Sequence, residues 1–292
     1  MKYRLSLKEV PCNICNLKAE QIIMQTDLGN IVRCKKCGLF YRSPRLSDED
    51  EIRRYKNLGY DDAYCEILNR SRKHLCLAVL KGIESHKGRL LDVGCGDGFF
   101  LNLAQKRGWE PYGVEISNFH LEKAKRNLGE KNIFDVPLKS AKFPSDFFDA
   151  ITLLDVLDHL TDPLGELKEV GRILKKNGLL AVRVRNGAFH VLLNRLFEKN
   201  VFGIIPVSTV FHLYGFDRHT LKILLKKAGF ADVRVENSML TGGNPYYQTK
   251  YLEEHMIQII KRIYSAFSEV IGFLSHKTLL VSSSLMVYAE KK

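Results

Sequence analysis

The chain has 292 residues, 45% hydrophobic and 27% charged, enough to bury a full core in one large domain and leave room for an appendage. No N-terminal run has the apolar core of a signal peptide, and no stretch of about 20 residues is free enough of charge to span a bilayer, so a cytoplasmic protein is expected. Lys and Arg (45) exceed Asp and Glu (33) for a net charge of +12, which points to an anionic partner or surface and decides nothing about fold.

Residues 1–45 are basic, marked by cysteines and poor in helical periodicity, and they read as a small module. Cys12 and Cys15 form one C-x2-C pair, Cys34 and Cys37 a second, and the 18-residue gap between them is that of a zinc ribbon. Four thiolates leave no open coordination position, so the metal is expected to fold the segment and not to catalyse. An odd total of seven cysteines agrees with ligands and buried thiols better than with disulfides. Between the pairs, residues 21–24 and 30–33 read as short strands joined by a turn at 27–30.

Residues 46–87 turn helical, starting at Ser47, a candidate N-cap before acidic residues 48–50, with a longer helix over about residues 63–83. This stretch is expected to cover a ligand pocket, with Tyr60 and Tyr64 in reach of it. From residue 88 to the end, apolar strands near 89–93, 110–114, 131–134, 149–154, 179–185, 231–238 and 281–289 alternate with helices. That alternation predicts an α/β, doubly wound, mainly parallel sheet.

The most telling segment is Asp92-Val93-Gly94-Cys95-Gly96-Asp97-Gly98-Phe99, where a strand runs into a glycine-spaced turn and then a helix. Such a junction lets backbone approach a ligand and offers helix N–H groups to it. Phe99 stands where a dinucleotide fingerprint wants its third glycine, and Asp92 would repel a pyrophosphate while suiting an ammonium and a sulfonium, as in S-adenosylmethionine. Glu115, at the end of the next strand, stands where a Rossmann-like unit places its ribose-binding carboxylate.

With these residues, the 143–163 run, the Leu174–Asn186 strand and the 212–230 segment, the chain resembles the class I S-adenosylmethionine-dependent methyltransferases, in particular ubiquinone-pathway O-methyltransferases, over roughly residues 86–238 and the last dozen. The resemblance implies a Rossmann-like sheet of seven strands with an antiparallel last strand. It implies cofactor contacts from Asp92, Gly94, Gly96 and Gly98, from Glu115 and Ile116, from Pro137 and Leu138, and from Leu154 and Asp155. It also places an acid-x-x-acid-His motif, here Asp155, Asp158 and His159, where relatives are implicated in binding a divalent metal.

On a helix, positions 155, 158 and 159 would share one face beside the cofactor. His159, Asp158 and His212 are therefore the candidate catalytic groups, with or without a second, divalent metal. The expected reaction is methyl transfer to a small-molecule acceptor, a hydroxyl of a sugar, quinone-like or lipid-linked compound. Two alternatives stay open: a base methyltransferase that grips RNA with its basic ribbon, and a degenerate fold that only binds.

Between the last two strands lies an insertion over about 240–279. Within it Leu252, Met256, Ile259, Ile260, Ile263, Phe267, Val270, Ile271 and Leu274 recur at helical spacing opposite charged residues, so 251–274 is an amphipathic helix expected to pack on its own domain, in a homodimer or on a membrane surface. A second apolar segment, 189–206, could join it as a lid.

Overall fold

A computed structural model describes residues 7–18, 20–26, 29–57, 62–198, 212–241 and 251–292. Tyr60, the tip of the 27–30 turn, positions 199–206 of the second apolar segment, 242–250 of the insertion, and the side chains of Leu252 and Met256 lie outside the described residues.

The chain begins with β1 (Leu7–Lys8), β2 (Glu20–Met24), β3 (Ile31–Cys34), β4 (Phe40–Arg42) and β5 (Arg45–Leu46). β2, β3 and β4 form an antiparallel meander, and β1 pairs with β5. Each cysteine pair sits on a like turn: Asn16 N donates to Cys12 O at 2.7 Å and Gly38 N to Cys34 O at 2.9 Å. This segment is too small for a core of its own, and its buried side chains, among them Ile14, Val32, Leu39 and Tyr41, belong to the same apolar cluster as Leu167, Phe216 and Leu221 far downstream.

Two helices follow, α1 (Asp48–Lys56) and α2 (Asp62–Gly82). Ser47 Oγ accepts from Asp50 N at 3.1 Å, and acidic residues 48–51 fill the first turn, so α1 starts where the sequence predicts. Then come β6 (Arg89–Val93), α3 (Phe99–Gln105), β7 (Glu110–Val114), α4 (Asn118–Leu128), β8 (Ile133–Phe134), β9 (Phe148–Leu154), α5 (Pro163–Ile173), β10 (Leu174–Arg185), α6 (Gly187–Glu198), β11 (Tyr214–Gly215), α7 (Arg218–Lys227), β12 (Phe230–Asn237), α8 (Tyr251–Leu274) and β13 (Ser284–Lys291).

Seven of these strands form one sheet in the order β12-β13-β10-β9-β6-β7-β8, all parallel except β13, which runs antiparallel to both neighbours. Helices cover both faces, which is why the central strands read as near-continuous apolar runs and not as alternating ones. One face packs on α5 and α7 through Leu167, Val170, Leu221 and Leu224, the other on α2, α3 and α4 through Leu75, Val79, Leu101 and Leu121. The expected α/β Rossmann-like sheet with an antiparallel last strand is therefore present.

Two local expectations are corrected. Residues 155–162 are not helical: Asp155 has φ +62°, positions 157–159 form a turn, and α5 begins only at Pro163. Asp162 is the N-cap, accepting from Gly165 N at 3.0 Å, and proline at the next position disfavours helical backbone in the residue before it. The second correction concerns only one of the packings expected of α8, that of its apolar stripe on its own domain, because the stripe points outward. Ile263, Phe267 and Phe273 are 66%, 57% and 80% exposed, while Ser268 is buried and its carbonyl accepts from Asn237 Nδ2 at 2.8 Å. Among the described residues, the helix docks by its small and polar side: Lys261 Nζ donates to Thr241 O at 2.9 Å and the Tyr264 hydroxyl to Val281 O. No helix is long and apolar enough to cross a membrane among the described residues.

Candidate active site

At the end of β6 the chain turns at Gly94, φ +72°, where a Cβ would lie 2.6 Å from Val156 Cγ2. Gly96, φ +58°, faces open space with nothing within 4 Å of such a Cβ. The Gly96 amide donates to Glu115 Oε2 at 2.8 Å and the Ser117 amide to Glu115 Oε1 at 2.7 Å, so the acid at the end of β7 pins the turn. Each of its oxygens keeps acceptor capacity for a ligand hydroxyl. Asp92, only 3% exposed, accepts from Thr152 Oγ1 at 2.6 Å. Burial pushes its carboxyl up to about 7, and a cationic ligand group beside it would bring it down again.

These residues line one pocket at the carboxyl edge of the sheet, where open α/β sheets bind ligands. Asp92, Gly94, Gly96 and Leu154 form its floor, α2 roofs it with Cys65, Asn69 and Arg72, and His120 closes one side. Glu115 joins it through Gly96, while Gly98 stands behind as the N-cap of α3. Ile116 is half-buried next to Glu115, Pro137 is exposed, and Leu138, 1% exposed, packs in the core with Phe143. The sequence points to a helical cover over residues 46–87 with Tyr60 and Tyr64 in reach, but these α2 residues were missed, although Cys65, Asn69, Arg72 and Cys76 recur at helical spacing and share the face that roofs the pocket.

The expected trio of Asp155, Asp158 and His159 divides. The carboxylate of Asp155 is gripped by the guanidinium groups of Arg72 from α2 and Arg183 from β10. Burial works against its ionisation, yet the two arginines hold it down at about 2. Asp155 is thereby tied to the roof of the cofactor pocket and not to His159.

Asp158 is 2% exposed, and burial together with repulsion from Asp155 pushes its carboxyl up to about 7. Its Oδ1 has no hydrogen-bond partner among the described residues, while its main-chain oxygen accepts from Leu213 N at 3.1 Å and Tyr214 N at 3.2 Å. Those two bonds bring the His212 ring against that of His159, with centroids 3.5 Å apart. Tyr55, from the last turn of α1, meets His159 Nδ1 through its hydroxyl, the rings edge to face at 5.4 Å. Burial, reinforced by Arg185, lowers His159 to about 4, and burial plus the neighbouring His159 lowers His212 further. Both imidazoles are therefore neutral at pH 7 and able to take a proton or ligate a cation.

Two groups of side chains have donor sets that fit a metal. The Sγ atoms of Cys12, Cys15, Cys34 and Cys37 lie within 4.8 Å of one another, and Cys12 and Cys37 are 3.5 Å apart, near the ~3.8 Å edge of a tetrahedron with zinc–sulfur bonds of about 2.3 Å. Burial pushes Cys12 up to about 11 and Cys37 higher still, a cost that a divalent cation reverses by holding both as thiolates. The second group is Asp158, His159 and His212, one donor atom each within 4.8 Å, without Asp155.

Comparison with known proteins agrees with this geometry. The family described as a methyltransferase domain matches residues 63–235. A ubiquinone biosynthesis O-methyltransferase of Coxiella burnetii is 27% identical over 179 residues, 57% of this chain and 71% of that protein. One of Pelagibacter ubique is 25% identical over 158 residues, 52% of this chain and 61% of its own length. Among solved structures, an S-adenosylmethionine-dependent methyltransferase of Thermotoga maritima, described as a possible histamine N-methyltransferase, superposes with a TM-score of 0.53 at 20% identity, covering 79% of this chain and 94% of that one. The family match runs from α2 into β12 and leaves the four-cysteine ribbon outside: the chain belongs to the methyltransferase-domain family, as a class I S-adenosylmethionine-dependent methyltransferase.

Proposed function

We propose that the protein transfers a methyl group from S-adenosylmethionine to a hydroxyl of a small molecule, a sugar, a quinone-like ring or a lipid-linked compound. The observation that carries this reading is the pair of neutral imidazoles, His159 and His212, in tilted contact with centroids 3.5 Å apart, one short turn beyond the pocket floor at Leu154. The cofactor supplies an electrophilic methyl on a sulfonium. Asp92 receives its ammonium, Glu115 its ribose hydroxyls, and the α2 roof excludes water while the acceptor oxygen is held in line with the methyl.

As the methyl leaves the sulfonium sulfur for the acceptor oxygen, the acceptor proton passes to His159 or His212, both of which burial keeps unprotonated at neutral pH. Asp158 supports the pair from behind. A divalent cation on Asp158, His159 and His212 would offer a second way to acidify the hydroxyl, and the unpartnered Asp158 Oδ1 favours keeping that reading. The O-directed names of the sequence relatives support a hydroxyl acceptor. The ribbon cysteines hold zinc in a structural role.

Calorimetry with S-adenosylhomocysteine tests the cofactor half, since absence of binding by the native protein sinks the reading. Methyl transfer from labelled S-adenosylmethionine to a panel of catechols and nucleotide sugars tests the rest. His159→Ala and His212→Ala should strongly slow label transfer while homocysteine-product binding persists.

A further inference from the structure

The four-cysteine ribbon does not stand apart from the acceptor side of the site. β11, the two residues after Leu213, is the fourth strand of the ribbon's sheet: Tyr214 pairs with Tyr41 and Gly215 with Phe40. Arg42 N donates to Leu213 O at 2.9 Å, one residue from His212. The second half of the site is tied to the same module. Arg45 Nη2 donates to Thr161 O at 2.9 Å, and the Tyr214 hydroxyl donates to the same oxygen at 3.1 Å. Asn13, inside the first cysteine pair, donates from Nδ2 to Asp162 Oδ1 at 3.0 Å and accepts from Leu164 N at 2.9 Å. Lys227 Nζ, at the end of α7, donates to Ile14 O at 2.6 Å.

Among the described residues, the two loops that carry His159 and His212 thus meet each other through the Asp158 carbonyl, the Tyr214 hydroxyl on Thr161 O and the ring contact, and meet the ribbon through four hydrogen bonds and a strand pair. No comparable tie runs from the ribbon to Asp92, Gly96 or Glu115 among the described residues. Resting on the assignment of His159 and His212 to the acceptor site, we propose that the ribbon is the clamp of that site: its cysteine turns and β4 fix the two histidine-bearing loops against each other, so that the imidazole pair forms only around a folded ribbon. Asn13, Arg42 and Arg45 are positioning residues. The edge of β4, which a free ribbon would offer to an external strand, is consumed inside the molecule.

The test uses the full chain. Cys15→Ser removes one thiolate and should release the metal; Asn13→Ala and Arg45→Met leave all four cysteines in place and keep the test alive if the first variant fails to fold. Three quantities are read: the ring signals of His159 and His212 in histidine-selective NMR spectra, amide hydrogen exchange over 212–216 against 92–98, and the dissociation constant of S-adenosylhomocysteine.

All three variants should move both ring signals and speed exchange over 212–216 at least tenfold, with exchange over 92–98 and product affinity changed less than twofold. Unmoved ring signals in metal-free Cys15→Ser overturn the clamp. So does a loss of product affinity in step with the exchange, because that reports general loosening. If the native protein binds no S-adenosylhomocysteine, the functional reading fails, while the exchange pattern still decides whether the ribbon holds the loops.

Discussion

Gly94 and Gly96 share a left-handed backbone yet should fail in different ways when given a methyl group. At Gly94 an alanine meets two costs. Left-handed backbone costs an L-residue about 1–2 kcal/mol. The new Cβ, 2.6 Å from Val156 Cγ2 and 3.3 Å from Cγ1, must also push a β-branched side chain out of place, an overpacking cost of about 1–3 kcal/mol.

Gly94→Ala should therefore lose roughly 2–5 kcal/mol, which for a domain of this size lowers the melting temperature by roughly 5–15 °C. Gly96→Ala meets only the backbone cost of about 1–2 kcal/mol, because nothing lies within 4 Å of its Cβ. That empty space is the cofactor pocket, so its penalty should appear as a loss of S-adenosylhomocysteine affinity of about tenfold or more, equal to at least about 1.4 kcal/mol. Thermal melts of the ligand-free variants and calorimetry of Gly96→Ala check both halves. Equal melting temperatures for the two variants, or native product affinity in Gly96→Ala, would refute the argument.

Other outcomes follow from charge and protonation. Asp155→Ala leaves the guanidinium groups of Arg72 and Arg183 without their shared anion, and should cost about 3–5 kcal/mol of stability; a urea denaturation midpoint near that of the native protein would show that the pair is dispensable. Asp92 has a folded pKa raised to about 7, so below that pH the ligand-free protein holds a proton there that the unfolded chain has already lost near pH 4. The ligand ammonium must expel it: binding of S-adenosylhomocysteine at about pH 6 should release up to about one proton, falling to none by about pH 9. Calorimetry in two buffers of different ionisation enthalpy reads this, and zero release at the lower pH would place the ammonium elsewhere. His159→Ala should lower turnover by about 10²–10⁴-fold once an accepted hydroxyl compound is in hand. A weak chelator that leaves the ribbon metal in place, yet abolishes turnover reversibly, would favour the cation on Asp158, His159 and His212 over the bare imidazole pair.

Much of the fold is legible in order of locality. Ser47 and the glycine turn each write a local structure in a few residues and form as read, and the capping box of Asp217 and Thr220 at the start of α7 is just as local. The alternation of buried runs with amphipathic ones places the strands, because a sheet covered on both faces needs them apolar throughout. The helix expected over 155–159 fails on a signal that is present in the sequence, an aspartate followed by proline at 162–163, which marks where a helix begins and not where it continues.

The site's remaining partners are of another kind. Arg72 and Arg183 meet at Asp155, and Tyr55 at His159, only because distant elements fold against one another, and no periodicity encodes such a meeting. α8 shows the same limit, since spacing reveals that a helix has two faces and is silent on which one the domain will take.

The shared strand between the ribbon and β11 has a consequence for how the chain comes together. The ribbon, made before the domain that follows it, cannot finish its own sheet: Tyr41 must wait for Tyr214, and the closure spans more than half of the chain. Contacts of such long range are slow to form, and until they do β4 presents an open edge to any neighbouring chain. Folding in chain order should thus leave an incomplete ribbon, sealed only when β11 has arrived.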